Sequence, residues 1–431
     1  MYIKNSDLLI LAFTTAFFAR VFHALGVPAI VDFLHLATVP FACGVALLTT
    51  KTKNESQISI SYSILFGLFL LLTVIVASAL VNSAGFINIV FDFLLLAEPF
   101  LLLLAVISVP MSLETIERFR VRIFSLALAN IFFAHMQRFV WRLDRFGVGY
   151  DNIKGIFIAQ GAGHYVGAAV ALTFGVYYYT TTVKTRPAWV RVAILVASIS
   201  QVIISGRRQT FLAFILALLL SVLTNLKQIK KAILYLLGTV TAIIFLYFAA
   251  QTVFPDLFDW ARPDIVDELI HLKTSGFRII PSYYQSPLNW LLGIGPGHSI
   301  GRLGGWMLQP EAYWPLLHPL GATRSSASND VWEAVGASWL GDKSTFFSPL
   351  FSWAGIWGDL GFLGLGAYFY LSYLVWIHLC TDSVSKYFMF TILFFGCFFT
   401  WLEEPAYMLF LAILIGLQWQ VNSKLLAPSE V

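Results

Sequence analysis

Two adjacent arginines stand between two short apolar runs, in the stretch Ser205-Gly206-Arg207-Arg208-Gln209-Thr210. A guanidinium group presents a planar fork of donors that binds phosphate oxygens bidentately. At a hairpin tip on a membrane surface, Arg207 and Arg208 would meet a lipid-linked diphosphate, whose phosphates lie at headgroup depth. The alternative is that both arginines snorkel to ordinary lipid phosphates.

A second polar stretch combines another arginine with a cluster of glycines. It begins as Ser275-Gly276-Phe277-Arg278, and after an apolar run it continues through Gly293, Gly295 and Gly297 to His298. Glycine allows a tight turn and lets the backbone approach a ligand closely. The spacing does not match the dinucleotide-binding fingerprint, and no strand–helix–strand pattern surrounds it. An ordinary turn is the alternative.

The elements that must position these residues are membrane helices. The chain has 431 residues, of which 58% are hydrophobic and 12% are charged, and its mean hydropathy is +0.79. A soluble domain carries about 25% charged residues, and a helix that crosses a bilayer needs roughly 20 apolar residues. We predict an all-α polytopic membrane protein with about twelve transmembrane helices and one large extracytoplasmic loop. The apolar runs lie near 7–24, 30–49, 59–81, 86–109, 121–139, 163–181, 191–206, 209–225, 232–252, 350–379, 387–402 and 405–420.

These runs divide the chain into three parts. We predict an N-terminal membrane domain at 1–252 with about nine helices, a large loop at 253–346, and about three C-terminal helices at 347–431. The net charge of +4 gives no indication of a nucleic-acid partner. The three cysteines lie in apolar stretches, which is typical of core residues, and we expect no metal and no cofactor.

Cations set the predicted orientation, because cytoplasmic connections carry an excess of Lys and Arg. Alternate connections, starting from Lys4, carry cations, whereas the short connections near 25–29, 82–85 and 402–404 carry none. We therefore place both termini in the cytoplasm and the loop outside. The outside cations that break this bias are mostly arginines, which suggests a task beyond pairing with loop acids; they are Arg142, Arg145, Arg207, Arg208, Arg262, Arg278, Arg302 and Arg324.

The predicted loop is rich in aromatic residues, and loops of this length are usually functional. Its first part has Ile265, Leu269 and Leu272 at helical spacing, which predicts an amphipathic helix over 262–275 that lies on the membrane surface. The tryptophans either anchor the loop at the interface or offer flat apolar faces to sugar rings. They are Trp260, Trp290, Trp306, Trp314, Trp332 and Trp339.

Charged residues within the apolar runs are costly, so they are expected to pair or to have a function. Arg20, Asp32 and His35 lie in the first two predicted helices and are candidates to pair with one another. The acidic corner at 403–404 is expected to balance or orient one of the loop arginines.

A general base is harder to assign than the arginines. The sequence contains no Asp-x-Asp motif for a metal-bound nucleotide sugar, which disfavours such a donor. Candidate bases in the loop are Glu311, Asp330, Glu333 and His318.

Three stretches together resemble the superfamily of O-antigen polymerases and O-antigen ligases. Residues 205–210, which run into an apolar helix, are similar to its Ser-x-Ser/Arg-Arg element. Residues 275–278 and the Gly-Ile-Gly-Pro-Gly at 293–297 are similar to the start of its large periplasmic loop. Residues 353–364 resemble the Gly-Leu-Gly helix that re-enters the membrane after that loop. The resemblance covers about 200–370, and the topology extends it to the whole chain.

The resemblance implies a GT-C-like glycosyltransferase that joins glycans carried on undecaprenyl diphosphate outside the cytoplasmic (inner) membrane. It implies catalytic roles for Arg278 and for Arg207 or Arg208. Ligases usually carry His-Asn just before the re-entering helix, whereas 345–353 contains no histidine, which favours a polymerase. Around the arginines we expect a set of residues that bind diphosphate or glycan, namely Gly293, Gly295, Gly297, His298, Arg302, Arg324 and Trp290.

Three functions are therefore open on the sequence. The first is a polymerase for O-antigen, capsule or exopolysaccharide repeats, with membrane lipids, a flippase and a chain-length regulator as candidate partners. The second is an O-antigen ligase with a lipid A core acceptor. The third is a flippase or transporter of lipid-linked glycans, although a twelve-helix transporter would need no loop of this size.

Overall fold

The computed structural model describes residues 4–50, 55–147, 149–158, 161–224, 262–341, 347, 349 and 351–426. These described residues form helices and connections and contain no β-strand. The prediction of an all-helical protein is confirmed to this extent, and the predicted helix at 232–252 lies outside the described residues. The helices before residue 225 are α1 (Asn5–Ala24), α2 (Leu34–Thr49), α3 (Glu55–Asn82), α4 (Phe86–Ser108), α5 (Leu113–His135), α6 (Gly163–Thr181), α7 (Ala188–Ile204) and α8 (Arg208–Thr224).

The later helices divide into short ones and a long C-terminal group. The described part of the predicted loop, residues 262–341, will be called the docked segment. Its helices are α9 (Pro263–Lys273), α10 (Ser275–Ile279), α11 (Leu288–Leu292), α12 (Trp314–Leu317) and α13 (Ser326–Gly336). The C-terminal group comprises α14 (Ser352–His378), α15 (Ser383–Phe395) and α16 (Pro405–Leu426).

Seven helical stretches in the described part are long and apolar enough to cross a membrane, so the chain is a multi-pass membrane protein. Helices α7, α8 and α15 are apolar but have only 17, 17 and 13 residues. The count of twelve spans stays a prediction. The seven stretches are Asn5–Ala24, Ala29–Thr49, Glu55–Asn82, Phe86–Ser108, Leu113–Val140, Ser352–His378 and Pro405–Lys424.

Helix α16 lies at the centre of the bundle, against α4. Every residue from 405 to 417 is buried. A Cβ added to Gly416 would lie 2.6 Å from the Val106 side chain, so the two helices approach closely. The Nε2 of Gln420 donates to the carbonyls of Val106 (2.9 Å) and Val109 (2.8 Å), which satisfies acceptors that the end of α4 leaves free.

The docked segment packs against one end of the bundle, which we call the loop end. At the start of α4, the Nδ2 of Asn88 donates to the carbonyls of Pro296 and Thr323, both at 2.8 Å, and its Oδ1 accepts from the Thr323 N–H at 2.9 Å. At the end of α3, the Nδ2 of Asn82 donates to the Gly293 carbonyl at 3.2 Å. Backbone groups buried between helices need such partners, and these asparagines provide them.

The docked segment also contacts α14, at a kink in that helix. Gly361 has a φ of +63°, and the kink leaves the carbonyls of Gly358 and Asp359 available to other partners. They accept hydrogen bonds from the N–H groups of Ile294 (2.9 Å) and Gly295 (3.1 Å). The glycine cluster therefore lets the backbone of the docked segment approach the backbone of α14 closely.

Beside this contact with α14, the docked segment enters the bundle. Gly293 has a φ of +70°, and a Cβ there would lie 2.3 Å from the Asp359 carbonyl carbon. The Ser299 N–H donates to the Asp359 carboxylate at 2.6 Å, and its Oγ donates to the Gly355 carbonyl at 3.1 Å. Residues 293–305 are buried as a result.

Helix α9 forms where the amphipathic pattern predicts a helix, and its predicted apolar residues pack within the protein. Ile265 and Leu272 are buried in a cluster with Val335 and Leu340 of the docked segment. Apolar spacing suits lipid and a neighbouring helix equally well. Val266 and Ile270 of α9 remain exposed, and a position on the membrane surface stays a prediction.

Candidate functional site

Arg302 lies where the docked segment enters the loop end, and it is only 8% exposed. Its backbone N–H donates to the Glu403 carboxyl group, and its Nη1 donates to the Glu404 carboxylate. The expected pairing of the acidic corner with a loop arginine is confirmed at Arg302. Burial raises the pKa of Glu403 to about 8, so Glu403 holds a proton at pH 7 and Glu404 balances the guanidinium charge.

Two arginines border the indole ring of Trp306. The guanidinium carbons of Arg302 and Arg20 each lie 5.4 Å from the ring centroid, within the range of a cation–π contact. Arg20 comes from α1, and its Nη1 donates to the Asp32 carboxylate and to the Tyr313 hydroxyl, both at 2.7 Å. Arginines from distant parts of the sequence thus meet at one aromatic side chain.

One carboxylate oxygen of Asp32 accepts hydrogen bonds from three side chains. Besides Arg20, these are the Tyr313 hydroxyl at 2.6 Å and the Nδ1 of His23 at 2.7 Å. Asp32 is 6% exposed, whereas the His23 side chain is 37% exposed. The buried Asp32 carboxylate therefore orients the His23 ring, which remains partly exposed.

The predicted polar group of the first two helices is confirmed only in part. Arg20 pairs with Asp32, but the Nδ1 of His35 lies 2.8 Å from Glu98 of α4 instead. Sequence reasoning missed His23. It lies three residues after Arg20, on the same face of α1, and that spacing is the signal by which it could have been found.

Arg207 belongs to a second cluster, at the tip between α7 and α8. It is 7% exposed, its Nη2 donates to Asp151, and its guanidinium carbon lies 4.3 Å from the Tyr165 ring centroid. Its Nε donates to the Ser205 carbonyl at 2.6 Å. These contacts bury Arg207 within the protein, which argues against a snorkelling arginine. Arg208 begins α8 beside it and is half-buried.

Two buried polar atoms near Arg207 have no hydrogen-bond partner among the described residues. They are the Oε1 of Gln209 and the Oγ1 of Thr210. Leaving a buried polar group unsatisfied costs about 1–3 kcal/mol. Water or the hydroxyl groups of a ligand would remove this cost.

The corner at 396–404 joins the two clusters. Phe399 lies 4.7 Å from Tyr165, ring centroid to ring centroid, and the Lys273 ammonium lies 5.1 Å from the Phe399 ring centroid. The same corner then supplies both acids to Arg302. Lys273 also donates to the Phe398 carbonyl at 3.0 Å, and burial lowers the pKa of Lys273 to about 7.

The other predicted binding residues are spread over the docked segment. Arg278 is exposed, and its Nη2 donates to the His271 carbonyl at 2.6 Å. The exposed Arg324 lies 4.8 Å from the Trp314 ring centroid, and Trp290 is 46% exposed.

His298 is buried and engaged at both ring nitrogens. Its Nδ1 lies 2.9 Å from the Ile294 carbonyl, and its Nε2 lies 2.9 Å from the Thr323 hydroxyl. Burial lowers the pKa of His298, which keeps the ring neutral. Within the structure His298 thus helps to hold the glycine turn, and its predicted contact with a ligand stays a prediction.

The four predicted bases lie at the surface of the docked segment. Glu311, Asp330, Glu333 and His318 are exposed, and Asp330 accepts a hydrogen bond from Tyr283. Among the described residues no ion pair joins any of them to the two buried arginine clusters.

Removing either partner of the Arg207 ion pair is expected to have unequal effects on stability. Asp151→Ala leaves a buried guanidinium without its carboxylate and is expected to destabilise the fold by about 1–3 kcal/mol, the cost of leaving a buried polar group unsatisfied. Arg207→Ala is expected to cost less, because the Asp151 side chain is 31% exposed and water can solvate it. Thermal unfolding in detergent measures both. Arg262→Ala is the control, because that arginine pairs with Asp264 in solvent, and equal shifts for all three variants would contradict the prediction.

No protein-family model matches the chain, and none of the curated proteins compared with it matches either.

Proposed function

We propose that this protein is a glycosyltransferase that polymerises oligosaccharide repeats carried on undecaprenyl diphosphate. The proposal is carried by one observation, the presence of two buried arginine clusters, Arg20 with Arg302 and Arg207 with Asp151, that the corner at 396–404 connects. A lipid diphosphate is an activated leaving group, so the enzyme must chiefly stabilise the charge that builds on it. Fixed guanidinium donors in a partly dry site do this.

The distribution of cations supports an extracytoplasmic loop end. Lys184 and Lys386 lie at the other end of the bundle, as do Lys4 before α1 and Lys424 in α16. Because cytoplasmic ends carry the excess of lysines, we propose cytoplasmic termini in the cytoplasmic membrane. The twelve spans and the large outside loop at 253–346 belong to the same proposal.

Aromatic side chains beside the arginines suit a glycan. Trp306 contacts two arginines, and Trp290 and Trp314 offer further ring faces on the docked segment. Sugar rings stack on such faces, and their hydroxyls need polar partners. The unsatisfied polar atoms of Gln209 and Thr210 would supply these beside Arg207.

The resemblance to the polymerase and ligase superfamily supports the same reaction, and the absence of a histidine from 345–353 favours a polymerase. The test is made in cells that lack the protein and are complemented with variants. Arg208→Ala and Arg278→Ala are expected to leave protein in the membrane but to abolish long glycan chains, because the resemblance implies that these arginines act on the diphosphate. A glycan ladder on a gel and an immunoblot of the membrane fraction measure the two effects.

The controls separate the alternatives. Arg262→Ala removes an exposed arginine of the docked segment and is expected to give a normal ladder. Normal ladders in both Arg208→Ala and Arg278→Ala would refute the roles that the resemblance implies for them, and a normal ladder in Arg302→Ala as well would refute the proposal. A strain without the protein still caps its acceptor with one repeat if the protein is a polymerase, but leaves the glycan unattached if it is a ligase. Movement of lipid-linked repeats across vesicles without chain growth would identify a transporter.

A further inference from the structure

We propose that His23 is the general base of this site and that Asp32 positions it, an inference that rests on the proposed function. In the sequence, the candidates for the general base are acids and a histidine of the loop, namely Glu311, Asp330, Glu333 and His318. The structure instead brings together an imidazole of α1, a carboxylate at the start of the next helical stretch, and Tyr313 of the docked segment.

The geometry is that of an oriented imidazole. The Nδ1 of His23 lies 2.7 Å from the Asp32 carboxylate, so the ring donates from Nδ1 and its Nε2 is the proton acceptor. Arg20 and Tyr313 bond to the same carboxylate oxygen and hold it in place. Burial raises the pKa of Tyr313 to about 12, so this hydroxyl keeps its proton and remains a donor to Asp32. A base oriented by a third group in this way is the arrangement that activates hydroxyl nucleophiles.

The other histidines with described contacts are placed differently. His35 also bonds to a carboxylate, but its side chain is only 6% exposed. His298 uses both ring nitrogens within the fold, and His318 lies against Trp314 with a ring-centroid distance of 4.5 Å. Among the described histidines, His23 combines a carboxylate partner with a partly exposed ring.

His23 also lies beside the arginines that would hold the diphosphate. Arg20 is one turn before it on α1 and shares Asp32 with it, and Arg20 and Arg302 both border Trp306. An acceptor hydroxyl at the Nε2 of His23 would therefore lie next to the leaving group. Holding the acceptor hydroxyl and the donor diphosphate next to each other lowers the activation barrier of the transfer.

The step transfers a glycan from one lipid carrier to a hydroxyl of another glycan. The acceptor oxygen forms a bond to the anomeric carbon of the donor as the bond from that carbon to the phosphate oxygen breaks. Undecaprenyl diphosphate leaves with the electron pair, and guanidinium groups stabilise its charge. The acceptor proton passes to the Nε2 of His23 and then to solvent.

The test uses the purified full-length protein and lipid-linked repeat units extracted from a strain that lacks it. His23→Gln and His23→Ala are expected to lower kcat about 100-fold with little change in the KM for the repeat unit, because general base catalysis acts on the chemical step. Added imidazole is expected to restore turnover to His23→Ala but not to Asp32→Asn, which keeps its own imidazole. His378→Gln changes a histidine at the other end of α14 and is expected to keep wild-type kcat.

Each outcome bears on one of the two proposals. If the wild-type protein forms no polymer, the proposed function fails. If it forms polymer and both His23 variants keep wild-type kcat, only the role of His23 is overturned. If neither variant can be purified folded, diethylpyrocarbonate is applied to the wild-type protein. Inactivation that follows the modification of His23, read by mass spectrometry, supports the proposal, and full activity with His23 modified overturns it.

Discussion

Arg302→Ala is expected to abolish polymer formation and to destabilise the protein by about 3–5 kcal/mol, the cost of removing one partner from a buried ion pair. Glu404 would be left at 7% side-chain exposure without the guanidinium that pairs with it. The site would also lose a donor for the leaving diphosphate, and the loss of such a donor lowers rates about 100- to 1,000-fold. Thermal unfolding and the polymerisation assay measure the two effects.

A double variant separates stability from activity at this position. Arg302→Gln combined with Glu404→Gln removes both charges and is expected to regain most of the lost stability while polymer formation stays absent. Arg302→Lys keeps the charge but loses the planar fork, so it is expected to fold and to retain only part of the activity. Wild-type activity in the double variant would show that Arg302 has no part in the chemistry.

Gly361→Ala is expected to release the docked segment from α14. The φ of +63° is strained for alanine, and the added Cβ would lie 2.4 Å from the Leu291 carbonyl carbon. Strain of this kind costs about 1–3 kcal/mol, and the clash with backbone adds to it. We expect a lower Tm, and faster cleavage by protease within 275–341 than in the wild type.

Gly366→Ala is the matched control, in the same helix. Its added Cβ meets no atom within 4 Å, and its φ is not in the left-handed region. Alanine is favoured over glycine within a helix, so the Tm is expected to be unchanged or higher. Equal losses of stability in the two variants would contradict the role assigned to the kink.

The sequence predicted the helices well, because polar residues and helix breakers bound the apolar runs. The run at 86–109 became α4, Phe86–Ser108, between Gly85 and Pro110. The sequence also located the acidic corner and one pair, Arg20 with Asp32. These features are local, or they follow from the high cost of an unpaired charge in a membrane.

The remaining contacts could not be predicted because they join distant parts of the chain. Arg20 meets Tyr313 across 293 positions, and no spacing in one sequence records such a contact. The partner of Arg207 is Asp151, which lies in the connection before α6. The glycine cluster indicated that backbone approaches something closely, but its composition is the same whether the neighbour is a ligand or the kinked α14.

The central position of α16 has a consequence for the order in which the protein assembles. About 300 residues separate the end of α4 from the start of α16, and at 5–20 residues per second their synthesis takes roughly 15–60 s. During that interval α4 is in the membrane without its permanent neighbour. The pair of His35 with Glu98 needs only α2 and α4, so it can shield one carboxylate from lipid at once. Chains truncated before residue 405 would therefore lack the helix around which the first group of helices packs.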